Sequence, residues 1–465
     1  MLDEEVIRRE TKNNNEIFVI LNTLAITLIP TLLLALDYGF SMGLFVAIGV
    51  AGIVNIIFYY NNWPDAPEGI LWKYALMLLP YAVYVAIQII STGTPVVEMI
   101  NVNSKYYAEL IPNDDALLVS GSLDTFQSII VAFASFAAAA CAFSIYFIAS
   151  SRYVLHRIFT ACGSVAFALS ILGILFFLFR IFFGWDADFG TKGMSFSVFP
   201  SADQWCAFAI LWQGALIASA TYSFQSFKLF PFLSSTRFLC MSAASVIATS
   251  IVLSNYVSCR ITGVAPIEAT FSLLLQSLGF CLLATGAFKK VSTSRGRTRK
   301  PMTPYTFYAC ASVFFLLCGV CAAMYCTNLE KWVLPDYQKV AADVMLMISQ
   351  RPLFGWGDAS FETVFLFFKG CDLVRFLNTS DVTDIQRLIS EIGFVGMGMI
   401  LLTPLYFIIR WIFNFKIHMA SFVLMLALAF VAFLAFVHSP FESHAVSASY
   451  LILFVSFVVW DIRKQ

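Results

Sequence analysis

The stretch "IFTACGSVAFALSILGILFFLFRIFF", residues 158–183, contains only one charged residue, Arg180. An apolar run of this length exceeds the roughly 20 residues that a helix needs to cross the hydrocarbon core of a bilayer. Similar runs recur along the chain of 465 residues, of which 60% are hydrophobic and only 12% are charged. Lipid admits only helices or closed barrels as spanning structures, and these runs lack the alternation of barrel strands. The sequence therefore predicts an all-α polytopic membrane protein.

We predict twelve transmembrane helices within a single integral-membrane domain that covers residues 1–465. The spans lie at about 17–36, 40–60, 70–91, 127–149, 158–183, 203–225, 237–256, 263–286, 304–326, 392–413, 417–438 and 445–461. No internal repeat or low-complexity linker divides the chain. The longest loop covers 327–391, and a loop of about 65 residues is expected to be functional or to have structure of its own.

Lysine and arginine predict the orientation, because loops on the cytoplasmic side carry an excess of both. Placing both termini in the cytoplasm puts 17 of these residues inside and leaves four in the short outer loops and their edges, namely Lys105, Arg180, Lys192 and Arg260. The segment "KKVSTSRGRTRK" at 289–300 alone contributes six of the 17. The loop 327–391 is then periplasmic if the membrane is a bacterial inner membrane.

Composition also restricts the partners and cofactors. The net charge is zero, which gives no bulk attraction to nucleic acid. Most of the eleven cysteines lie inside apolar spans, where they behave as small hydrophobic residues. No CxxC…CxxC or HExxH pattern is present. We therefore predict no metal site, no other cofactor and no nucleic-acid partner.

The first candidate for chemistry is "MISQRPLFGWGDASFETV", residues 347–364. Pro352 disfavours a helical conformation at Arg351, so the preceding helix is expected to end there. Gly355 and Gly357 permit tight turns that turn backbone N–H groups toward an anion. An arginine beside such groups suits a phosphate or diphosphate, because its planar fork binds bidentately. The alternative is a loop that only joins two helices and leaves Arg351 in solvent.

Two further arginines lie at the predicted outer boundary. Arg260 follows a span directly, and a cation at that depth is costly unless it binds a partner. Glu268, eight residues later, is one candidate partner, either along a substrate path or in a structural ion pair. Arg180 ends its span in "FFLFRIFFG" and is also explained by snorkelling toward the headgroups.

The segment "NTSDVTDIQRLISEIGFVG", 378–396, leads into the tenth span. Asp381 and Asp384 suit the start of a helix, where carboxylates oppose the helix dipole. Together with Arg387 and Glu391 they recur every three or four residues and share one helical face. This pattern is typical of a capped helix with an ion-pair stripe. It also allows one aspartate to act as a general base at the membrane boundary.

The last candidate is "FVHSPFESHAVSASYLILF", 436–454. His438 and His444 flank a short outer turn that contains Glu442. A histidine at the membrane surface can shuttle protons, but we favour a simple hydrogen bond from it to a loop carbonyl.

Four passages, in this order and on one predicted side of the membrane, resemble the O-antigen ligase and O-antigen polymerase superfamily. Its members are integral-membrane glycosyltransferases that act on glycans carried by undecaprenyl diphosphate. The passages are "SCRITG" (258–263), "QRPLFGWGDASF" (350–361), "DIQRLISEIGFVG" (384–396) and "VHSPFES" (437–443), with a weaker likeness in "SFSVFPSADQWCAFAIL" (195–211). The resemblance covers about the last 300 residues, and no single passage is specific alone.

The resemblance implies a metal-independent transfer at the periplasmic face of the bacterial inner membrane. Arg260 and Arg351 would hold the diphosphate of the lipid-linked donor, with Arg180 as a third outward cation, and the acceptor would be another glycan or the lipid A-core. The family usually carries a histidine, its candidate base, where this chain has Val382, and no histidine occurs in 327–391. Asp381 or Asp384 is then the candidate base, followed by His438.

Two questions stay open at the level of sequence. A polymerase and a ligase differ in their acceptor, which these residues do not identify, and the missing histidine favours a polymerase or a divergent transferase over a standard ligase. The alternative class is a twelve-helix transporter or flippase of lipid-linked glycans. Transporters often show related halves with charges near mid-depth, whereas this chain shows neither.

Overall fold

The computed structural model describes residues 50, 53, 68–90, 96–102, 105–111, 128–132, 135–136, 139, 152–183, 199, 202–226, 231–259, 267–293, 303–329, 335–368, 382–413 and 418–462. For 68–78, 96–102, 105–111, 251–259, 325–329 and 335–339 the description covers the backbone alone.

Helices dominate the described residues. They are α1 (Glu68–Ile90), α2 (Arg152–Phe183), α3 (Ala202–Ser226), α4 (Pro231–Cys259), α5 (Ile267–Thr293), α6 (Thr303–Leu329), α7 (Pro335–Gln350), α8 (Phe361–Phe368), α9 (Asp384–Phe413), α10 (Met419–Leu434) and α11 (His444–Ile462). A short 3-10 helix, Pro440–Glu442, separates α10 from α11. Strands β1 (Val96–Val102) and β2 (Lys105–Ile111) form an antiparallel hairpin between α1 and α2.

Helix α3 is the centre of the main core. In the most apolar 18-residue window of Asp203–Gln225, 94% of the residues are buried, because α2, α4, α5, α10 and α11 all pack against it. Small residues allow this close packing, as they do in membrane helix bundles. A side chain at Gly214 would clash with Ala427 of α10. The large aromatic residues Trp205 and Trp212 fill the remaining space and are fully buried.

Five described helices are long and apolar enough to cross a membrane. Their apolar segments are Arg152–Phe179, Asp203–Gln225, Ile267–Ala287, Tyr305–Met324 and Asp384–Phe413. The outer helices expose this apolar surface: only 11% of the residues in Tyr305–Met324 are buried, in contrast to α3. A soluble protein of ordinary composition does not expose apolar surface of this extent. The helices are therefore compatible with a membrane protein.

The predicted spans agree in part with these helices. Nine of the twelve coincide with α1–α6 and α9–α11, whereas the span at 17–36 and most of those at 40–60 and 127–149 lie outside the described residues. The number of membrane crossings stays a prediction. The expectation of an all-α class is confirmed for the described residues, with one local departure: β1 and β2, whose sequences "VVEMINV" and "KYYAELI" are rich in β-branched and aromatic residues, form a two-stranded hairpin.

The long loop 327–391 has structure of its own, as expected. Helix α7 ends at Gln350, directly before Arg351, as Pro352 predicts. Helices α7 and α8 form a second, smaller hydrophobic core. Its buried members are Val340, Val344, Met347, Ile348, Trp356, Phe361, Val364, Phe365 and Val382.

A break in α9 fixes the segment that joins α7 to α8. The backbone of Gly393 has φ 67° and ψ −179°, which interrupts the helix. The backbone on both sides of the break pairs with residues 352–357 through four hydrogen bonds. These are Trp356 N to Ser390 O (2.8 Å), Gly357 N to Glu391 O (2.8 Å), Phe394 N to Pro352 O (2.9 Å) and Val395 N to Leu353 O (3.1 Å). We call this paired region the backbone clamp.

Helix α1 completes the backbone clamp with two polar side chains. The Tyr84 hydroxyl lies 2.6 Å from the Ile392 carbonyl and 3.0 Å from the Phe354 carbonyl. Gln88 Nε2 donates to the same Phe354 oxygen at 3.0 Å. Carbonyl oxygens at a helix break would otherwise be buried without partners, which is costly. Tyr84 and Gln88 therefore stabilise the irregular backbone of both segments.

The backbone clamp requires glycine at the two positions where residues 352–357 and α9 come closest to each other. A Cβ atom at Gly393 would overlap the Leu353 carbonyl group, and one at Gly355 would overlap the carbonyl group of Glu391. Both glycines also have positive φ, 67° in each case, which other residues adopt only with strain.

We expect Gly393→Ala to destabilise the protein by about 2 kcal/mol or more, through backbone strain and overlap with Leu353. The matched control is Gly398→Ala in the same helix, where nothing lies within 4 Å of an added Cβ. The measurement is thermal unfolding of both purified variants in detergent. Equal melting temperatures for the two variants would contradict the clamp.

Candidate functional site

Arg351 lies on the backbone clamp and stacks on an aromatic ring. Its guanidinium carbon is 4.4 Å from the centroid of the Trp356 ring. The ring is held in place, because Trp356 Nε1 donates to the Met347 carbonyl at 3.0 Å. Arg351 is half-buried, and this desolvation lowers its pKa. Among the residues with described side chains, no carboxylate lies within ion-pair distance of Arg351.

The glycines near Arg351 have a different role from the one expected. Their N–H groups do not face an anion, because Gly355 N donates to Arg351 O at 3.1 Å and Gly357 N to Glu391 O at 2.8 Å. The prediction of an N–H nest is therefore wrong. Glycine is needed here for close approach to α9. Because the N–H groups of both glycines are already paired, the Arg351 side chain is the group of this segment that suits an anion.

Arg387, in the first turns of α9, is surrounded by carboxylates. Its guanidinium nitrogens lie 3.5 Å from Glu362, 3.6 Å from Glu391 and 3.9 Å from Glu442. Glu391 is almost fully buried and its Oε1 also accepts from Phe361 N at 3.3 Å. The shared face of Arg387 and Glu391 confirms the predicted ion-pair stripe. Arg387 thus joins α8, α9 and the 3-10 turn.

Asp358 is a buried carboxyl on the segment that carries Arg351. Desolvation raises the pKa of Asp358 to about 6, although a backbone hydrogen bond from Ala359 and the charge of Arg387 oppose the shift. A carboxyl that titrates near neutral pH is suited to accept a proton in a reaction.

Helix α9 begins with a capping box at Thr383. Gln386 N donates to Thr383 Oγ1 at 3.2 Å, and Thr383 N donates to Gln386 Oε1 at 3.3 Å. Asp384 Oδ2 accepts from Phe441 N at 2.6 Å. Asp384 therefore ties the start of α9 to the 3-10 turn, while the other predicted base, Asp381, lies outside the described residues.

His438 packs between two carboxylates. Its Nε2 lies 3.1 Å from Glu268 Oε1 and its Nδ1 lies 3.8 Å from Asp203 Oδ2. Burial alone would lower the pKa of His438, but the negative charges of Asp203 and Glu268 outweigh it and raise the pKa to about 9. The expectation of a simple hydrogen bond from His438 to a loop carbonyl is therefore wrong.

The structure brings several of the predicted residues together. Asp384 N donates to the His438 carbonyl at 3.1 Å, so the start of α9, the turn after α10 and the starts of α3 and α5 meet at one end of the bundle. Glu268 pairs with His438 there. Arg260 and the side chain of Arg180 lie outside the described residues, so their predicted convergence with Arg351 stays a prediction.

The opposite end of the bundle has its own polar contact. Arg152, at the start of α2, lies 2.9 Å from His418 and donates to the Trp460 carbonyl at 3.2 Å. These contacts bring the start of α2 next to the start of α10 and the end of α11. Which end faces the cytoplasm stays a prediction.

Sequence reasoning missed Asp203, Trp356 and Asp358. Asp203 and Glu268 each lie in the first turn of an apolar helix. A carboxylate at the same position in two such helices could have indicated that the starts of α3 and α5 lie close together. Trp356 and Asp358 lie inside the passage 347–364. Their contacts, from Trp356 to the Met347 carbonyl and from Asp358 to the charge of Arg387, are not encoded by any local pattern.

The chain matches no protein-family profile, no curated protein and no solved structure.

We expect Arg387→Gln to lower the free energy of unfolding by roughly 2 kcal/mol, less than for a fully buried pair, because the side chain is 29% exposed. The loss leaves the surrounding carboxylates without a counter-charge. The control is Arg410→Gln, an exposed residue near the other end of α9. Thermal unfolding in detergent measures both, and an equal loss in the control would contradict the role of Arg387.

Proposed function

We propose that this protein is a membrane-embedded glycosyltransferase that polymerises or transfers glycan from undecaprenyl diphosphate. In this proposal the site lies at the periplasmic face of a bacterial inner membrane, with both termini in the cytoplasm. The observation that carries the proposal is the contrast between Arg351 and Arg387. Three carboxylates neutralise Arg387, whereas Arg351 stacks on Trp356 without a described carboxylate partner.

Arg351 has the properties of a diphosphate ligand. A ring fixed by its own hydrogen bond orients the guanidinium, so little conformational freedom is lost on binding. Partial burial strengthens its attraction for an anion, because water screens the charge less. The backbone clamp places this cation on the segment that also carries Asp358.

These groups support an inverting displacement. The acceptor hydroxyl attacks the anomeric carbon of the lipid-linked sugar, and the bond from that carbon to the diphosphate oxygen breaks. The electron pair leaves with the diphosphate, whose growing negative charge Arg351 stabilises. A carboxylate accepts the proton of the attacking hydroxyl. No metal ion takes part in this scheme.

Two carboxyls are candidates for the base. Asp384, predicted from the sequence, lies at the end of the bundle where His438 and Glu268 meet, but one of its oxygens already accepts a hydrogen bond from Phe441 N. Asp358 lies closer along the chain to Arg351, and its raised pKa of about 6 suits proton transfer near neutral pH.

The alternative, a transporter or flippase, has less support among the described residues. One polar cluster between α3, α4 and α5 is uncharged and internally paired: Gln213 contacts Ser272 and Gln276, and Gln276 accepts from Ser242. This network stabilises the packing of the three helices and carries no charge that could bind an anionic substrate. Product formation by purified protein in detergent, where no second compartment exists, separates the two classes.

We expect Arg351→Ala to reduce glycan product from a polyprenyl-diphosphate donor by about 100-fold or more, because one charge-stabilising group is lost. Arg351→Lys should recover part of the activity, since it keeps the charge and loses the planar fork. Arg410→Ala is the remote control with unchanged product. Normal product from Arg351→Ala would end the diphosphate assignment, and the same assay on Arg260→Ala tests the predicted second cation.

Asp384→Asn separates a catalytic role from a structural one. The asparagine oxygen can still accept from Phe441 N, so we expect an unchanged melting temperature. If Asp384 is the base, product falls severely in this variant, and Asp358→Asn is then mild; the reverse result assigns the base to Asp358. Activity close to wild type in both variants, and in Asp381→Asn, would place the base elsewhere, with His438 next to be tested.

Deletion of the gene distinguishes the two acceptors. Surface polysaccharide with only single repeats on the lipid A-core indicates a lost polymerase. Bare core together with accumulated lipid-linked polymer indicates a lost ligase. Unchanged surface polysaccharide would contradict the proposed function.

A further inference from the structure

We propose that Asp203, Glu268 and His438 bind a divalent transition-metal ion, a role that the proposed glycosyl transfer does not assign to them. The three residues come from the start of α3, the start of α5 and the turn after α10. One donor atom from each lies within 4.8 Å of the others. Two carboxylates and one imidazole form an O,O,N donor set that suits ions such as Zn²⁺ or Mn²⁺.

Glu268 is the observation that points to a ligand. Its side chain is 1% exposed, yet neither carboxylate oxygen accepts a hydrogen bond from a described residue. A buried carboxylate in proteins is normally hydrogen-bonded or coordinated to a metal, since desolvating the charge is costly. The contact with His438 does not replace those bonds, because His438 Nε2 also lacks hydrogen-bond geometry.

The distance between Glu268 and His438 is compatible with coordination of both side chains to one ion. Glu268 Oε1 and His438 Nε2 are 3.1 Å apart without being aligned. Two ligands bound to one ion at about 2.1 Å lie about 3.0–3.4 Å apart for octahedral or tetrahedral angles. The pair therefore already has the separation of neighbouring ligands.

Charge balance supports the same assignment. A protonated His438 between two carboxylates leaves one net negative charge in a buried place. A divalent ion with a neutral imidazole and two carboxylates is balanced. Asp384 and Glu442 add negative charge nearby and further favour a cation.

The backbone around His438 holds the ligand in position. His438 N donates to Leu434 O at 2.8 Å and the His438 carbonyl accepts from Asp384 N at 3.1 Å. These bonds fix the backbone at His438, from which the imidazole extends between Asp203 and Glu268. Three protein ligands leave at least one coordination position for water or another small ligand.

The test measures bound metal in the full-length protein purified in detergent with chelator and then titrated with Zn²⁺. We expect about one Zn²⁺ per chain, a higher melting temperature with Zn²⁺, and much weaker binding of Mg²⁺, because imidazole favours transition metals. Glu268→Gln and His438→Gln should each weaken Zn²⁺ binding at least tenfold. The control Glu362→Gln, an exposed carboxylate paired with Arg387, should bind as wild type does.

Three results would overturn the proposal: no stoichiometric Zn²⁺ on the wild type, preference for Mg²⁺, or undiminished binding in Glu268→Gln. If the variants fail to fold, X-ray absorption at the zinc edge of the wild-type protein identifies the ligands of the bound ion and tests the proposal without them. Imidazole and carboxylate ligands support the site, whereas zinc–sulfur distances of about 2.3 Å would show binding by cysteines and contradict it. None of these readouts depends on glycan transfer.

Discussion

The described structure depends on the pairing of an irregular segment with a broken helix. Four backbone hydrogen bonds join residues 352–357 to α9 on both sides of Gly393, and Tyr84 and Gln88 of α1 satisfy the remaining carbonyl groups. Because no helix or sheet supplies partners for this backbone, the two segments are stable only together. The pairing brings Arg351 and Asp358 to the same end of the bundle as the polar helix starts, and it builds the small second core beneath them.

The charges at this end are arranged in two different ways. Arg387 is enclosed by Glu362, Glu391 and Glu442 and has a structural role, since it holds α8, α9 and the 3-10 turn together. Arg351 is held by an aromatic ring, which orients the guanidinium without neutralising it. An arginine that is oriented and still positively charged can bind an anionic ligand, and this difference is the physical basis of the proposed function.

The sequence predicted the helices far better than the site. Apolar runs gave nine spans close to α1–α6 and α9–α11, because length and hydrophobicity act locally. Pro352 correctly ended α7 for the same reason. The glycines were recognised as special, but their partner is the backbone of Glu391 and Leu353, contacts that no local pattern encodes. His438 was identified as a candidate, whereas its partner Asp203 lies more than 200 residues away and became visible only in the fold.

In the proposed function, the guanidinium of Arg351 binds the diphosphate of the lipid-linked donor. A cryo-EM structure of the protein in lipid nanodiscs with a bound polyprenyl diphosphate would test this contact. We expect phosphate oxygens about 2.7–2.9 Å from the Arg351 guanidinium, with the pairing at Gly393 intact. A diphosphate bound elsewhere, with Arg351 still stacked on Trp356 and making no contact with the ligand, would contradict the proposed role of Arg351.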